Sequence, residues 1–181
     1  MVRQIKITNQ KIANYITYIR FLLGIPILIY LSNGNMIAAW GLLLIAALTD
    51  FLDGWFARRS GSYTKWGAEI DPLADKVLIL APIIWLGKSS IIPLWSIWVL
   101  IARELILTAR RSKSINGLPA SMSAKIKTLL QFLSILFLLF PNFLASKYLI
   151  IIIRNIGIIL YWISFGMALF SAYIYFKPRS I

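Results

Sequence analysis

Asp50, Asp53, Asp71 and Asp75 are four of only six acidic residues in a chain of 181. Their spacing is helical, since residues three or four apart project from one helix face. Two helices, one carrying Asp50 with Asp53 and the other Asp71 with Asp75, can therefore bring four carboxylates together. Such a group repels itself and takes protons back unless a counter-charge is present. A hard divalent cation supplies that charge, and oxygen-only ligands favour Mg2+ or Mn2+ over Zn2+. Four carboxylates suffice for two ions. The plainer account, in which the aspartates pair with Arg58, Arg59, Lys65 and Lys76, does not require acids this concentrated. Glu69 falls in the same stretch, which leaves Glu104 as the one acid outside it. The chain has no His and no Cys, so imidazole and thiolate chemistry are excluded and proton transfer or metal binding falls to carboxylates.

Neighbouring residues suit a phosphorylated ligand. Gly54 removes a side chain beside Asp53, which lets a ligand or a backbone come close. Ala57, one turn from Asp53, keeps the same face small. Arg58, one turn from Gly54, can hold a phosphate in a planar fork.

The elements that must position these residues are apolar. Hydrophobic residues make up 60% of the chain and the mean hydropathy is +0.79, too high for an ordinary soluble domain. Runs able to cross about 30 Å of hydrocarbon number about six. They cover residues 12–31, 36–57, 72–87, 91–109, 126–143 and 148–176, and "SNGN" and "KSS" between runs read as short turns. The expected fold class is all-α: a polytopic membrane protein with about six transmembrane helices, forming one domain over residues 1–181. No cleaved leader is expected, because the first run is long, contains Arg20 and lacks a small-residue cleavage pattern.

Charge orients the bundle, since Lys and Arg in short loops stay on the cytoplasmic side. Arg3, Lys6 and Lys11 precede the first run, and Arg58, Arg59 and Lys65 follow the second. Arg110, Arg111, Lys113, Lys125 and Lys127 separate the fourth from the fifth, and Lys177 and Arg179 close the chain. The alternate loops hold only Lys88 and Lys147. Both termini and the aspartate stretch are therefore expected on the cytoplasmic side of the cell membrane. The net charge of +13 reads as attraction to anionic membrane lipids. Nucleic acid is the weaker reading, because the basic residues are tied to the ends of apolar runs. Arg20, Lys76, Arg103, Glu104 and Arg154 fall within or close to the runs, where an ionisable group normally snorkels, pairs or lines a cavity.

Written out, the aspartate stretch is Asp50-x2-Asp53-Gly54-x2-Ala57-Arg58-x8-Gly67-x3-Asp71-x3-Asp75. It resembles, at all eight fixed positions, the signature of the CDP-alcohol phosphotransferases. The resemblance implies a six-helix membrane fold, usually homodimeric, in which a CDP-linked lipid or alcohol gives its phosphatidyl or similar group to an acceptor hydroxyl with release of CMP. It implies that Asp50, Asp53, Asp71 and Asp75 share the metal ions and that Asp75 is the general base. It further implies that Gly54, Arg58 and Thr64 contact the CDP-lipid and that Gly67 lets the third helix approach closely.

Outside the signature, "DPLADK", "ARELILTARR", "SAKIKTLLQ" and "ALFSAYIYF" are similar to the bacterial phosphatidylglycerophosphate synthase subgroup, as are Asn14, Thr17 and Arg20 in an N-x2-T-x2-R pattern. That likeness implies CDP-diacylglycerol as donor and sn-glycerol 3-phosphate as acceptor. The chain departs from the subgroup at Ala124, where Gly is usual before Lys125, and at Arg110, where Leu commonly precedes the Arg matched by Arg111. The charges agree with a phosphorylated acceptor. Arg103, Arg111, Lys125 and Lys127 stand at the expected cytoplasmic ends of the fourth and fifth runs, where they can form a cationic pocket for a phosphate dianion, or serve only as topology and headgroup contacts. Other acceptors on the same fold remain open: phosphatidylglycerol, as in a cardiolipin synthase, or the inositol phosphate of a phosphatidylinositol phosphate synthase. A divalent-cation transporter is the alternative of another class, but its acids would be expected along a path through the bilayer rather than at one face.

Overall fold

Helix α1 (Ile19–Ser32) and helix α2 (Met36–Ser60) are joined by a turn that the sequence spells locally. Gly34 takes a left-handed φ of 75°, its N–H donates to the Leu31 carbonyl at 3.2 Å, and the Asn35 N–H reaches back to Tyr30 at 2.9 Å. This paired closure is a Schellman motif, which satisfies the last carbonyls of α1. The Asn35 side chain then caps α2 by accepting from the Ala38 N–H at 3.2 Å. Helix α3 (Lys65–Lys88) ends in the same motif, with Ser90 and Ile91 donating to Gly87 and Leu86, each at 3.0 Å. Here Ser90 holds the left-handed position, at φ 57°.

Pro93 then opens helix α4 (Leu94–Ser112), its carbonyl accepting from the Ser96 hydroxyl at 2.7 Å. Helix α5 (Met122–Leu138) is followed by Pro141, one 3-10 turn (Asn142–Leu144) and helix α6 (Lys147–Phe176). The computed structural model describes residues 19–60, 65–112 and 122–176, with side chains at 19–49, 74, 76–108 and 126–174, and its regular structure is helical throughout those residues.

Among the described residues each expected apolar run carries one α-helix, with most boundaries shifted, three of them where prolines are involved. Helix α3 starts at Lys65 and runs through Pro72 and Pro82, each of which removes one backbone N–H without ending the helix. Helix α4 begins at Leu94 rather than 91, because Pro93 sets its start. Helix α5 stops at Leu138 rather than 143, ahead of Pro141, whose ring and missing N–H end it. Both expected turns are present. The stretch Lys147–Ile174 is long and apolar enough to cross a bilayer; Ile19–Ser32, Met36–Thr49 and Ile126–Leu138 are apolar but shorter. The apolar sequences of α3 and α4 are interrupted by Lys76 and by Arg103 and Glu104, while the helices themselves are continuous.

The chain divides into two compact units, Met1–Trp85 and Leu86–Ile181. In the first, Gly24 of α1 faces α3: a Cβ there would lie 3.6 Å from the Ala81 Cβ and 3.7 Å from the Val77 carbonyl oxygen. Buried Ala39, Leu43 and Ala46 trace the interior stripe of α2, and Ala74, Leu78 and Ala81 that of α3, at the three- and four-residue steps of a helix.

In the second unit α6 is the central element, packing on α5 and on α4. Its buried stripe, Tyr161, Ser164, Ala168 and Ser171, is mostly small or hydroxylated, as are Ser96 of α4 and Ser134 of α5. Small residues let backbones approach, and hydroxyls find partners across the gap, which is how helices associate when their surroundings are as apolar as their side chains. The Ser96 hydroxyl meets the Tyr161 hydroxyl at 2.7 Å. The Ser134 hydroxyl donates to the Gly157 carbonyl at 2.8 Å.

Candidate active site

The first unit holds the signature residues. Helix α2 carries Asp50, Asp53, Gly54, Ala57 and Arg58, and helix α3 carries Gly67, Asp71 and Asp75, all on helical backbone. The three- and four-residue spacings are thus helical spacings, as a converging carboxylate set requires. Positions 50, 53 and 57 extend the step of the buried stripe at 39, 43 and 46 in α2, and positions 67 and 71 extend that of 74, 78 and 81 in α3. The side chains of these eight residues fall outside those described, and Thr64, Asn14 and Thr17 fall outside the described residues altogether. At the edge of this region the Thr49 hydroxyl donates back to the Ile45 and Ala46 carbonyls, at 3.0 and 2.9 Å. Ala74, between Asp71 and Asp75, is buried, as is Arg20 of α1.

Of the four basic residues expected around an acceptor phosphate, Arg103 and Lys127 are brought together in the second unit. They meet on Glu104, whose Oε1 accepts from Arg103 Nη1 at 2.5 Å and from Lys127 Nζ. Arg103 also ties α4 to α6: its Nε donates to the Ala168 carbonyl at 3.2 Å and its Nη2 to the Ser171 hydroxyl. That hydroxyl in turn donates to the Ala168 carbonyl at 3.1 Å. Burial is deep for the two cations, with side chains 9% and 6% exposed, and less so for Glu104 at 24%. Arg111 and Lys125 lie on the helical backbone of α4 and α5, their side chains outside those described. Arg154 is placed apart from this cluster, on the exposed side of α6, where it donates to Asn142 Oδ1 at 2.9 Å.

Ser171 is the residue that sequence reasoning missed, and Glu104 was noted there without being assigned to this cluster. A signal for Glu104 was present, since it is the single acid outside the stretch from Asp50 to Asp75. Ser171 gave none, as a serine in an apolar helix looks the same whether it faces a neighbour or not.

A family model of the CDP-alcohol phosphatidyltransferases matches residues 10–170. Among curated proteins, the chain is 33% identical to a CDP-diacylglycerol--glycerol-3-phosphate 3-phosphatidyltransferase of Rickettsia felis, over 93% of this chain and 95% of the relative. It is equally 33% identical to the protein of that description from Rickettsia bellii, with the same coverage. A Bacillus subtilis protein of the same description is 38% identical over 56% of this chain and 54% of its own length.

Proposed function

Because the chain belongs to the CDP-alcohol phosphatidyltransferase family, and so is a transferase, we propose that it moves the phosphatidyl group of CDP-diacylglycerol onto sn-glycerol 3-phosphate, giving phosphatidylglycerophosphate and CMP. The observation that carries this reading is the pair of near full-length relatives with that description, matched by a complete eight-position signature from Asp50 to Asp75.

In this reaction the acceptor hydroxyl oxygen bonds to the phosphorus of the phosphatidyl group, and the bond from that phosphorus to the CMP oxygen breaks. Asp75 takes the hydroxyl proton as general base. A carboxylate is a weak base at neutral pH, so placement of the hydroxyl must supply much of its effect. Asp50, Asp53, Asp71 and Asp75 would hold Mg2+ or Mn2+, two ions per site, a donor set whose hard oxygens suit those metals; when bound, the ions neutralise diphosphate charge and polarise the phosphoryl group. Gly54 and Ala57 leave room for the CDP moiety, Arg58 and Thr64 bind it, and Gly67 lets α3 come close. Asn14, Thr17 and Arg20 complete the nucleotide side. Arg111 and Lys125, with Arg103 and Lys127, supply positive charge for the acceptor phosphate, which a neutral alcohol would not need.

The six helices are read as six spans in the cell membrane, with both termini and the reacting groups on the cytoplasmic side, and the protein as a homodimer. Exposed apolar residues along α6, among them Ile159, Ile163 and Phe170, and exposed Trp98, Tyr148 and Tyr173 near helix ends support a lipid-facing surface with interfacial aromatics.

The deciding experiment is an acceptor panel with purified protein and labelled CDP-diacylglycerol. Preferred turnover of glycerol 3-phosphate is expected; preference for phosphatidylglycerol or inositol phosphate would replace the acceptor while leaving the transferase chemistry in place.

A further inference from the structure

We propose that Glu104 is a positioning residue of the acceptor subsite, fixing the ammonium of Lys127 against α4 while Arg103 pins that helix to α6. This rests on the acceptor reading above.

Three features of the cluster lead here. First, one carboxylate oxygen receives both cations, Arg103 of α4 and Lys127 of α5, so a single side chain sets the separation of two charges on two helices. Second, the two cations are held differently. All three guanidinium nitrogens of Arg103 already donate, to Glu104, Ala168 and Ser171. A guanidinium held at all three nitrogens, with three of its five N–H groups engaged, is fixed in place as a structural pin. Lys127 carries a compact charge on a flexible four-carbon stem, and its position depends on what holds its end. Third, the three named groups carry unequal charge. The three named groups sum to +1, and Glu104 is the only Asp or Glu from Leu86 to Ile181.

Energetics separate this role from plain stabilisation. Taking ions out of water in an apolar bundle costs free energy that their attraction roughly recovers, and well-packed apolar residues would hold the same helices as firmly. Two buried cations on one partly exposed carboxylate, three groups summing to +1, are suited instead to receiving an anion. A phosphate monoester is the anion that the proposed reaction brings, and a fixed ammonium recognises it with less ordering cost than a mobile one.

The test uses full-length protein in detergent: wild type, Glu104→Gln, Glu104→Asp, Lys127→Met and the double variant Glu104→Gln with Lys127→Met. Initial rates are measured with each substrate varied in turn, alongside thermal unfolding. Glu104→Gln should raise the KM for glycerol 3-phosphate about tenfold and leave the KM for CDP-diacylglycerol within about twofold. Glu104→Asp should recover most of the loss. The double variant should be no worse than Lys127→Met alone, because Glu104 acts through the lysine. Equal losses for both substrates, losses that track the melting temperature, or additive effects in the double variant would each overturn the proposal. Should Glu104→Gln fail to fold, Lys127→Met and Glu104→Asp carry the same comparison, and an unchanged acceptor KM in both would sink it. Failure of wild type to use glycerol 3-phosphate is a separate result, and it removes the acceptor reading itself.

Discussion

Gly157 of α6 lies so close to Leu138 of α5 that a Cβ on the glycine would stand 2.9 Å from the leucine Cγ and 3.1 Å from its backbone nitrogen. The contact is made where α5 gives way to Pro141, and it is reinforced one turn earlier by the Ser134 hydroxyl on the Gly157 carbonyl. A backbone atom cannot yield as a flexible side chain can, so an added Cβ would press the two helices apart. Gly157→Ala should therefore destabilise the second unit by about 1–3 kcal/mol, the usual cost of overpacking. Gly166→Ala provides the control: nothing lies within 4 Å of its added Cβ, and alanine is the better helix former by about 0.5–1 kcal/mol. Thermal unfolding in detergent should show the first variant melting below wild type and the second level with it or above. Equal melting of the two would refute the close-packing account.

Metal dependence follows from the carboxylates. Four aspartates cannot share a low-dielectric site as anions without a counter-charge, so excess chelator should abolish CMP release and added Mg2+ or Mn2+ should restore it. Asp71→Asn removes one ligand charge and should leave less than about 1% of the wild-type rate, a loss in the range that follows removal of a group acting in the transition state. Full activity in chelator would dismiss the metal set.

Sidedness is predicted from the alternation of Lys and Arg between loops. Residues 1–18 and 177–181, which carry the terminal charges, lie outside the described residues, so the check is chemical. The chain has no native Cys, and single cysteines in place of Val2 and Ser180 should resist a membrane-impermeant thiol reagent added to intact cells. Ready labelling of either would reverse the assigned topology.

For the acceptor, neutralising Lys125 or Arg111 should raise the KM for glycerol 3-phosphate far more than that for CDP-diacylglycerol. Loss of one charged phosphate contact costs roughly 1.5–3 kcal/mol, or on the order of tenfold to a hundredfold in kcat/KM. Glycerol itself should be a poor acceptor, as it leaves the positive charge uncompensated. A variant that loses both substrates equally would instead have lost its fold or its metal ligands.

Much of this was open to a reader of the residues alone. Apolar runs separated by "SNGN" and "KSS" placed the helices and their turns, because a left-handed glycine closing one helix and an asparagine opening the next are decided within a few residues. The signature from Asp50 to Asp75 marked the family, and its spacing marked helices for a related reason: a helix face repeats at three and four residues, a local period. Proline effects were half legible. Pro141 cuts α5 short whereas Pro72 and Pro82 leave α3 continuous, and nothing in a proline itself says which will happen, because the outcome depends on whether neighbours satisfy the freed backbone groups. What only the tertiary structure decided is which distant residues meet. Arg103 was legible as a cation near the end of an apolar run, but its engagement of Ser171, 68 residues on, and the meeting of Glu104 with Lys127, 23 residues on, depend on how each helix is rotated about its axis and how far it slides along its neighbour. Those two freedoms are set by small residues such as Gly157 that let backbones touch, so they belong to the packed helices together and to no single segment.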